Sequence, residues 1–422
     1  MNVHDVYDQI VLSRQYEINV MQLMKLLHKH FKKELSFIHK IRLKSFMDVC
    51  DTATRSNKLY LTGLGRHHCN SNKTSSNIQK VDRLLGNTHL QEEREVFYKL
   101  IHSYLIKEGS TPWLHIDWSC INPRTNLYVL RASLSMSGRS IVVYEKCYPK
   151  KKENNHATHK EFLNHLKTLL PASVKPVIVT DAGFRAPWFD YILKLGWDFV
   201  GRLRNKNLVC IDNASTWQLS ATFFEQATGK PTYIGQGLLT EEGKVPAHFV
   251  LYKGKNKQRH QYNINKKISR SSKSKRHAKT NKEPWLLVTS LAYVQNEPKL
   301  AINIYRQRMR IEENIRDTKC PHYGLGLKKS LSRSTERMNI LLLIAAMATF
   351  AAWIAGIFTT FIGKASDFQA QSAKVTSALS KVFLGREVLR KGFGITKNQL
   401  TLALQLLYQL STESLKESLT YE

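Results

Sequence analysis

The chain has 422 residues, of which 42% are hydrophobic and 23% charged, enough for a sizeable core and roughly two to four domains, which excludes a wholly disordered or fibrous chain. Sixty-four Lys and Arg against 33 Asp and Glu leave a formal charge of +31, which points to a polyanionic partner, nucleic acid ahead of an acidic membrane surface. The six cysteines (Cys50, Cys69, Cys120, Cys147, Cys210, Cys320) include no C-x-x-C pair, which counts against structural zinc and a disulfide scaffold and fits a reducing cytosol; the polar first residues, MNVHDVYDQI, do not read as a secretory leader.

Residues 1–110 read as helical and basic. Val20–Phe46 carries apolar residues at helical spacing with Lys, Arg and His between them. From Leu61 to Gly86 the pattern predicts a short helix, a polar turn, and a second helix starting near Thr74–Ser76 and ending by Gly86. That outline is compatible with a helix-turn-helix and equally with an ordinary helical bundle.

Strands begin after Thr111. Trp113–Ser119, Leu127–Leu134 and Ser140–Lys146 are strand candidates, then Lys160–Leu170 reads as a helix, Val177–Asp181 as a buried strand, Trp188–Leu195 as a helix and Phe199–Leu203 as a fifth strand. Three strands, helix, strand, helix, strand is the order of an RNase H-like core. Asp117 and Asp181 are expected at strand ends, where such sheets place their chemistry. Arg202, near the end of the fifth strand, and Arg204, just past it, are expected to reach DNA.

Residues 205–284 interrupt the core with short strand-like pieces, Thr232–Ile234 and His248–Tyr252. Between Lys253 and Lys282 stand 12 Lys or Arg and no acid, a grip for phosphates or a solvated insertion. Trp285–Ser290 returns to a strand. Next, Ile302–Lys319 (INIYRQRMRIEENIRDTK) has no Gly or Pro and predicts one continuous helix. At about 100° per residue, Tyr305, Arg308, Glu312 and Lys319 fall within roughly 60° of one another with Arg316 among them. Such a stripe suits a meeting of metal and phosphates, or an exposed helix with i,i+4 ion pairs. Ile340–Ile362 has no charge and the length of a bilayer span; its Ala-rich composition fits the buried helix of a soluble protein. The remainder reads as helices.

Asp117, Asp181 and Glu312 thus come from three elements of one expected sheet-and-helix unit. Three carboxylates meeting at strand ends supply the all-oxygen ligands that Mg²⁺ takes, and two such metals can serve an in-line displacement at phosphorus.

The stretches IDWS at Asp117, VTDAGF at Asp181 and Y-x2-R-x3-E-x6-K at Glu312 resemble the acidic motifs of bacterial DDE transposases, the last being the YREK signature of the insertion sequence four family. NIQKVDRLLGN, LRASLSMSGRS, EPWLLVTS and YGLGLKKS are most similar to the insertion sequence ten type. The resemblance implies an α/β fold: an RNase H-like mixed-sheet core with a mostly β insertion, flanked by helical N- and C-terminal regions. Its divisions fall at residues 1–110 (DNA-end binding), 111–204 and 285–330 (core), 205–284 (basic insertion) and 331–422 (helical). It implies cut-and-paste transposition by nicking, hairpin formation, hairpin opening and strand transfer. Asp117, Asp181 and Glu312 match the ligands of two Mg²⁺ ions, for which Mn²⁺ substitutes; Tyr305, Arg308 and Lys319 match residues that hold the non-transferred strand; and Trp285 matches a tryptophan that stacks on a flipped base, where the residues alone read as a core Trp. The partners implied are double-stranded DNA, at terminal inverted repeats and at the target, and a second copy on paired ends, in the cytoplasm on the nucleoid with no membrane. A hydrolytic nuclease with the same core and a non-catalytic DNA-binding relic are the rival readings, and the intact acids count against the relic.

Overall fold

Strand pairing, traced through the computed structural model, joins every predicted strand into one sheet. The structure describes residues 21–204, 207–212, 216–254, 268–269, 271–272, 274, 283–370 and 379–420; most of the basic run Lys253–Lys282 and the first 20 residues lie outside them. The strands are β1 (Trp113–Asn122), β2 (Leu127–Met136), β3 (Arg139–Pro149), β4 (Val177–Thr180), β5 (Asp198–Leu203), β6 (Leu208–Ile211), β7 (Gln218–Leu219), β8 (Thr232–Leu239), β9 (Val245–Tyr252) and β10 (Trp285–Thr289). They lie in the order β3-β2-β1-β4-β5-β10-β9-β8-β6-β7. The first five give the mixed RNase H-like arrangement: β1–β3 are antiparallel, and β4 and β5 run parallel to β1. Among the described residues, the insertion strands form no sheet of their own. β10 pairs with β5 on one edge and β9 on the other, so the insertion strands extend the core sheet.

Alternation along the strands divides the core in two. Trp113, Val177, Val179, Val200 and Leu287 face one apolar cluster, while Leu114, Ile116, Ile178 and Phe199 face the other, as the two-residue period of a strand requires. Asp117 continues the Trp113 face, and Asp181 the Val177 and Val179 face.

At the N-terminus, the helical spacing over Val20–Phe46 falls on two helices, α1 (Leu23–His30) and the start of α2 (Lys40–Ser56). Phe31, Leu35 and Ile38 are buried at helical spacing, but the amides of Lys32, Ser36 and Ile38 bond to carbonyls three residues back. The apolar pattern thus crosses a run of turns. The pair α3 (Leu61–Arg66) and α4 (Thr74–Leu85) matches its predicted bounds. The two helices approach so closely that a Cβ on Gly65 would lie 2.5 Å from Ile78 Cγ1. Next, α5 (Thr88–Ser103) starts at Asn87, whose Oδ1 accepts the Leu90 amide at 2.8 Å, a side-chain cap. Helices α6 (His156–Leu169) and α7 (Ala186–Lys194) follow β3 and β4.

The stretch expected as one helix over Ile302–Lys319 is two, α8 (Pro298–Arg306) and α9 (Met309–Lys319). At the junction the amides of Gln307, Arg308, Arg310 and Ile311 bond three residues back, not four, a tightened turn. Tertiary contacts override the helix propensity here. The Arg310 carbonyl accepts from Ser140 Oγ at 3.1 Å and its Nη1 donates to Ser135 Oγ at 3.2 Å, drawing the start of α9 onto the β2–β3 hairpin.

The apolar helix α10 (Thr335–Phe361) is long and apolar enough to cross a membrane, yet nearly all of its apolar stretch is buried inside the protein. It packs against α2, α5, β3, α11 (Lys381–Arg390) and α12 (Lys397–Thr420). Gly356 and Gly385 permit the α10–α11 crossing, since a Cβ on either would lie 1.8 Å from the opposing carbonyl oxygen.

Candidate active site

Parallel pairing of β1 with β4 sets Ile116 beside Thr180. One step further along the same register, Asp117 stands beside Asp181 on one face of the sheet. Asp117 is not at a strand end, as the sequence suggested; it lies midway along β1, which runs on because it pairs with β2 beyond the point where β4 stops. The Asp181 carboxylate folds back to accept the Gly183 amide at 2.8 Å.

The third acid comes from α9. Glu312 is in the first turn of that helix, where the helix dipole favours an anion, and Arg316 and Lys319 are in the last, where it favours cations. Arg308, at the junction before α9, bridges helix and strand. Its Nη1 lies 2.7 Å from Glu312 Oε1 and 3.8 Å from Asp117 Oδ2, so those two oxygens are no farther apart than the sum of the two distances.

The electrostatics follow from this crowding. Burial and the neighbouring Asp181 and Glu312 push the Asp117 carboxyl up to about 7, with Arg308 opposing them. Burial works against the charge of Arg308, but Tyr305, Glu312, Asp117 and Asp181 around it raise its pKa above the ordinary value. The Lys319 ammonium is brought down to about 8 by burial and by Lys328 and Arg131. Its Nζ donates to Ser119 Oγ at 2.8 Å and to the Cys120 carbonyl at 2.9 Å, tying the end of α9 to β1.

Asp117, Ser119, Glu312, Arg316, Lys319, Cys320 and Lys328 line a cleft of about 340 Å³. Acids stand at one end and cations at the other, which suits a phosphodiester approaching a metal. The acids offer oxygen only, the hard donors that Mg²⁺ and its relatives take. Burial first, and Asp181 after it, raise the Asp117 carboxyl against the pull of Arg308, and an oxygen-only donor set beside a cationic wall fits a divalent cation. The ligand set is not closed as it stands, because Glu312 is turned to Arg308. Among the described residues no three His, Cys, Asp or Glu side chains are grouped to hold an ion.

The remaining candidates divide. Tyr305 is only 4% exposed; the Arg308 guanidinium lies 5.8 Å from its ring centre. The expected stripe is therefore broken at Tyr305, which packs into the core while Glu312, Arg316 and Lys319 face the cleft. Trp285 begins β10, half-buried, with its ring centre 5.0 Å from that of Tyr305, edge to face, and 5.9 Å from that of Tyr252. Arg202 is partly buried behind this aromatic group and lies 3.9 Å from Glu283; burial lowers its pKa. Arg204 is exposed past the end of β5. Sequence reasoning missed Ser119, Cys320 and Lys328 as cleft residues. The basic KKS after Gly326 was a signal for Lys328.

A family model described as a transposase DDE domain matches residues 118–350. The match starts one residue after Asp117 and includes Asp181 and Glu312. No curated protein matches the chain.

Proposed function

The chain belongs to the transposase DDE-domain family, whose members cleave DNA, transfer strands and generally use divalent metals, and from that premise we propose that it is the cut-and-paste transposase of an insertion sequence, of the insertion sequence four family and the insertion sequence ten type. The reading is supported by one observation: the register of β1 and β4 sets Asp117 beside Asp181, and Arg308 links Asp117 to Glu312 on α9.

In this reading Asp117, Asp181 and Glu312 hold two Mg²⁺ ions, with Mn²⁺ able to replace them. When bound, the ions supply activation of the attacking oxygen and stabilisation of the leaving one. The chain's own residues bind and orient the DNA. Arg316, Lys319 and Lys328 neutralise backbone phosphates along the cleft, and Arg308 holds Glu312 toward Asp117 until a metal takes the carboxylate over. Four steps use the same geometry, because each is attack of an oxygen on a phosphodiester with loss of another oxygen. Water frees a 3′-hydroxyl, which attacks the opposite strand to close a hairpin. Water reopens the hairpin, and the 3′-hydroxyl attacks the target. Trp285, beside Tyr305, offers a half-exposed ring on which a base leaving the stack at the hairpin can rest. Residues 1–110 read the terminal repeats, two copies act on paired ends, and the protein works on the nucleoid in the cytoplasm.

The test is incubation of the full chain with duplexes carrying the DNA that flanks its own gene, with Mg²⁺. Nicks, then hairpins, then joined products are expected, and Asp117→Ala, Asp181→Ala and Glu312→Ala should each abolish them while end binding persists. Nicks without hairpins or joining would indicate a hydrolytic nuclease instead.

A further inference from the structure

The charged row on the sheet does not stop at the aspartates. Arg131 on β2 stands directly opposite Asp117, and Glu145 on β3 directly opposite Arg131. Residues paired in this way project to one face, so the row Asp117, Arg131, Glu145 runs beneath α9. Arg131 is 1% exposed and Glu145 0%. Arg131 Nη2 and Nε lie 2.6 and 2.8 Å from Glu145 Oε2.

The free arm of the same guanidinium reaches the helix. Arg131 Nη1 donates to Asn314 Oδ1 at 2.5 Å and to Thr318 Oγ1 at 3.1 Å. Asn314 and Thr318 are one turn apart on the buried side of α9, whose other side presents Glu312 and Lys319 to the cleft. Asn314 Nδ2 donates in turn to the Ser140 carbonyl at 2.9 Å. At the rim, Arg139 binds Glu313 at 2.7 Å and Asp317 at 3.1 Å.

Stability alone does not account for this arrangement. A buried ion pair often does no better than apolar residues of the same volume. What the guanidinium adds is direction, because its donors are fixed in a plane. Contacts to two residues one turn apart fix both the rotation and the height of a helix. An apolar seat would tolerate small rotations, and a shift of one residue, about 100°, would turn Glu312 out of the cleft.

We propose that Arg131 is a positioning residue for the reaction: anchored by Glu145, it locks α9 against the strand that carries Asp117, so that Glu312 is presented to the aspartates. This rests on the reading of Asp117 and Glu312 as parts of one cation site. Substituting groups that orient metal ligands typically costs about 10–100-fold in metal affinity or activity.

The test uses the full chain on an end-bearing duplex, with single-turnover nicking followed over a Mg²⁺ titration and end binding measured in EDTA. Asn314→Leu combined with Thr318→Val removes both helix acceptors and leaves the Arg131–Glu145 pair intact. Nicking should slow by about 10–100-fold, half-maximal nicking should need more Mg²⁺, and end binding should be unchanged. Thr318→Val alone, nearly isosteric, should show a smaller effect in the same direction even if the double variant is unstable. Thr318→Ser, which keeps the hydroxyl, should behave as wild type. Wild-type nicking in both Val-bearing variants, or parallel loss of nicking and binding, overturns the positioning role. Nicking retained by Glu312→Ala would overturn the underlying cation-site reading instead.

Discussion

The guanidinium of Arg308 stands 2.7 Å from the Glu312 carboxylate, and the same nitrogen lies 3.8 Å from Asp117. One cation thereby joins the acid of a helix to the acid of a strand, and it competes with any metal for the oxygen of Glu312. Arg308→Ala should leave the acids without that offset and destabilise the metal-free protein by about 1–3 kcal/mol, discounted because Glu312 is 43% exposed. Added Mg²⁺ should then raise the melting temperature of the variant more than that of the wild type. Equal rises in thermal unfolding scans would show that Arg308 does not balance these acids.

The raised carboxyl of Asp117 gives a pH signature. An acid whose folded-state pKa moves from 3.8 to about 7 binds its proton more tightly in the folded chain, so it lowers stability as pH rises through that window. Asp117→Asn removes the penalty. In metal-free buffer the variant should be more stable than wild type at pH 8, by on the order of 2–4 kcal/mol, and the gain should shrink toward zero as pH falls to 4. A gain independent of pH, read from denaturant unfolding, would rule out the charge of Asp117 as its source.

Lys319 titrates in the opposite sense. Its ammonium, lowered to about 8 from an ordinary 10.5, is partly neutral in the free protein above pH 8. A phosphate in the cleft favours the charged form. DNA binding between those two values should therefore take up a proton, and affinity should fall as pH rises through them. Calorimetry in buffers of different ionisation enthalpy should detect the uptake in wild type and not in Lys319→Met. Uptake persisting in the variant would place the titrating group elsewhere.

Trp285 packs edge to face against Tyr305 but is only half-buried, so two roles are separable. Trp285→Ala should cost about 1–2 kcal/mol of stability and slow hairpin closure more than the first nick. Trp285→Phe should recover most of the stability and part of the hairpin rate. Equal slowing of nick and hairpin by Trp285→Ala would leave Trp285 a packing residue alone.

Much of this architecture is legible in the residues, and the gaps have physical causes. The α3–α4 pair was readable because the polar turn before Thr74 and the Gly86 that ends the second helix mark it locally. The strands of the core were readable because Val177, Ile178 and Val179 are apolar on both faces of a buried strand. The break at Arg308 was not, since no Gly or Pro marks it; it arises from contacts between Arg310 and Ser135 and Ser140, more than 160 residues away in the chain. Asp117 looked like a strand end because the apolar pattern stops at Ser119, whereas β1 runs on to Asn122 through its pairing with β2. Arg131 could not be singled out at all, since its partners Glu145, Asn314 and Thr318 are brought together only by strand register and helix docking.

The central claim is that Asp117, Asp181 and Glu312 share divalent cations. The most direct measurement is anomalous diffraction from crystals of the full chain bound to an end-bearing duplex and soaked with Mn²⁺. The account predicts manganese peaks between the two aspartates and Glu312, with Glu312 released from Arg308. Manganese absent from the cleft, or bound elsewhere with Glu312 still paired to Arg308, would contradict it.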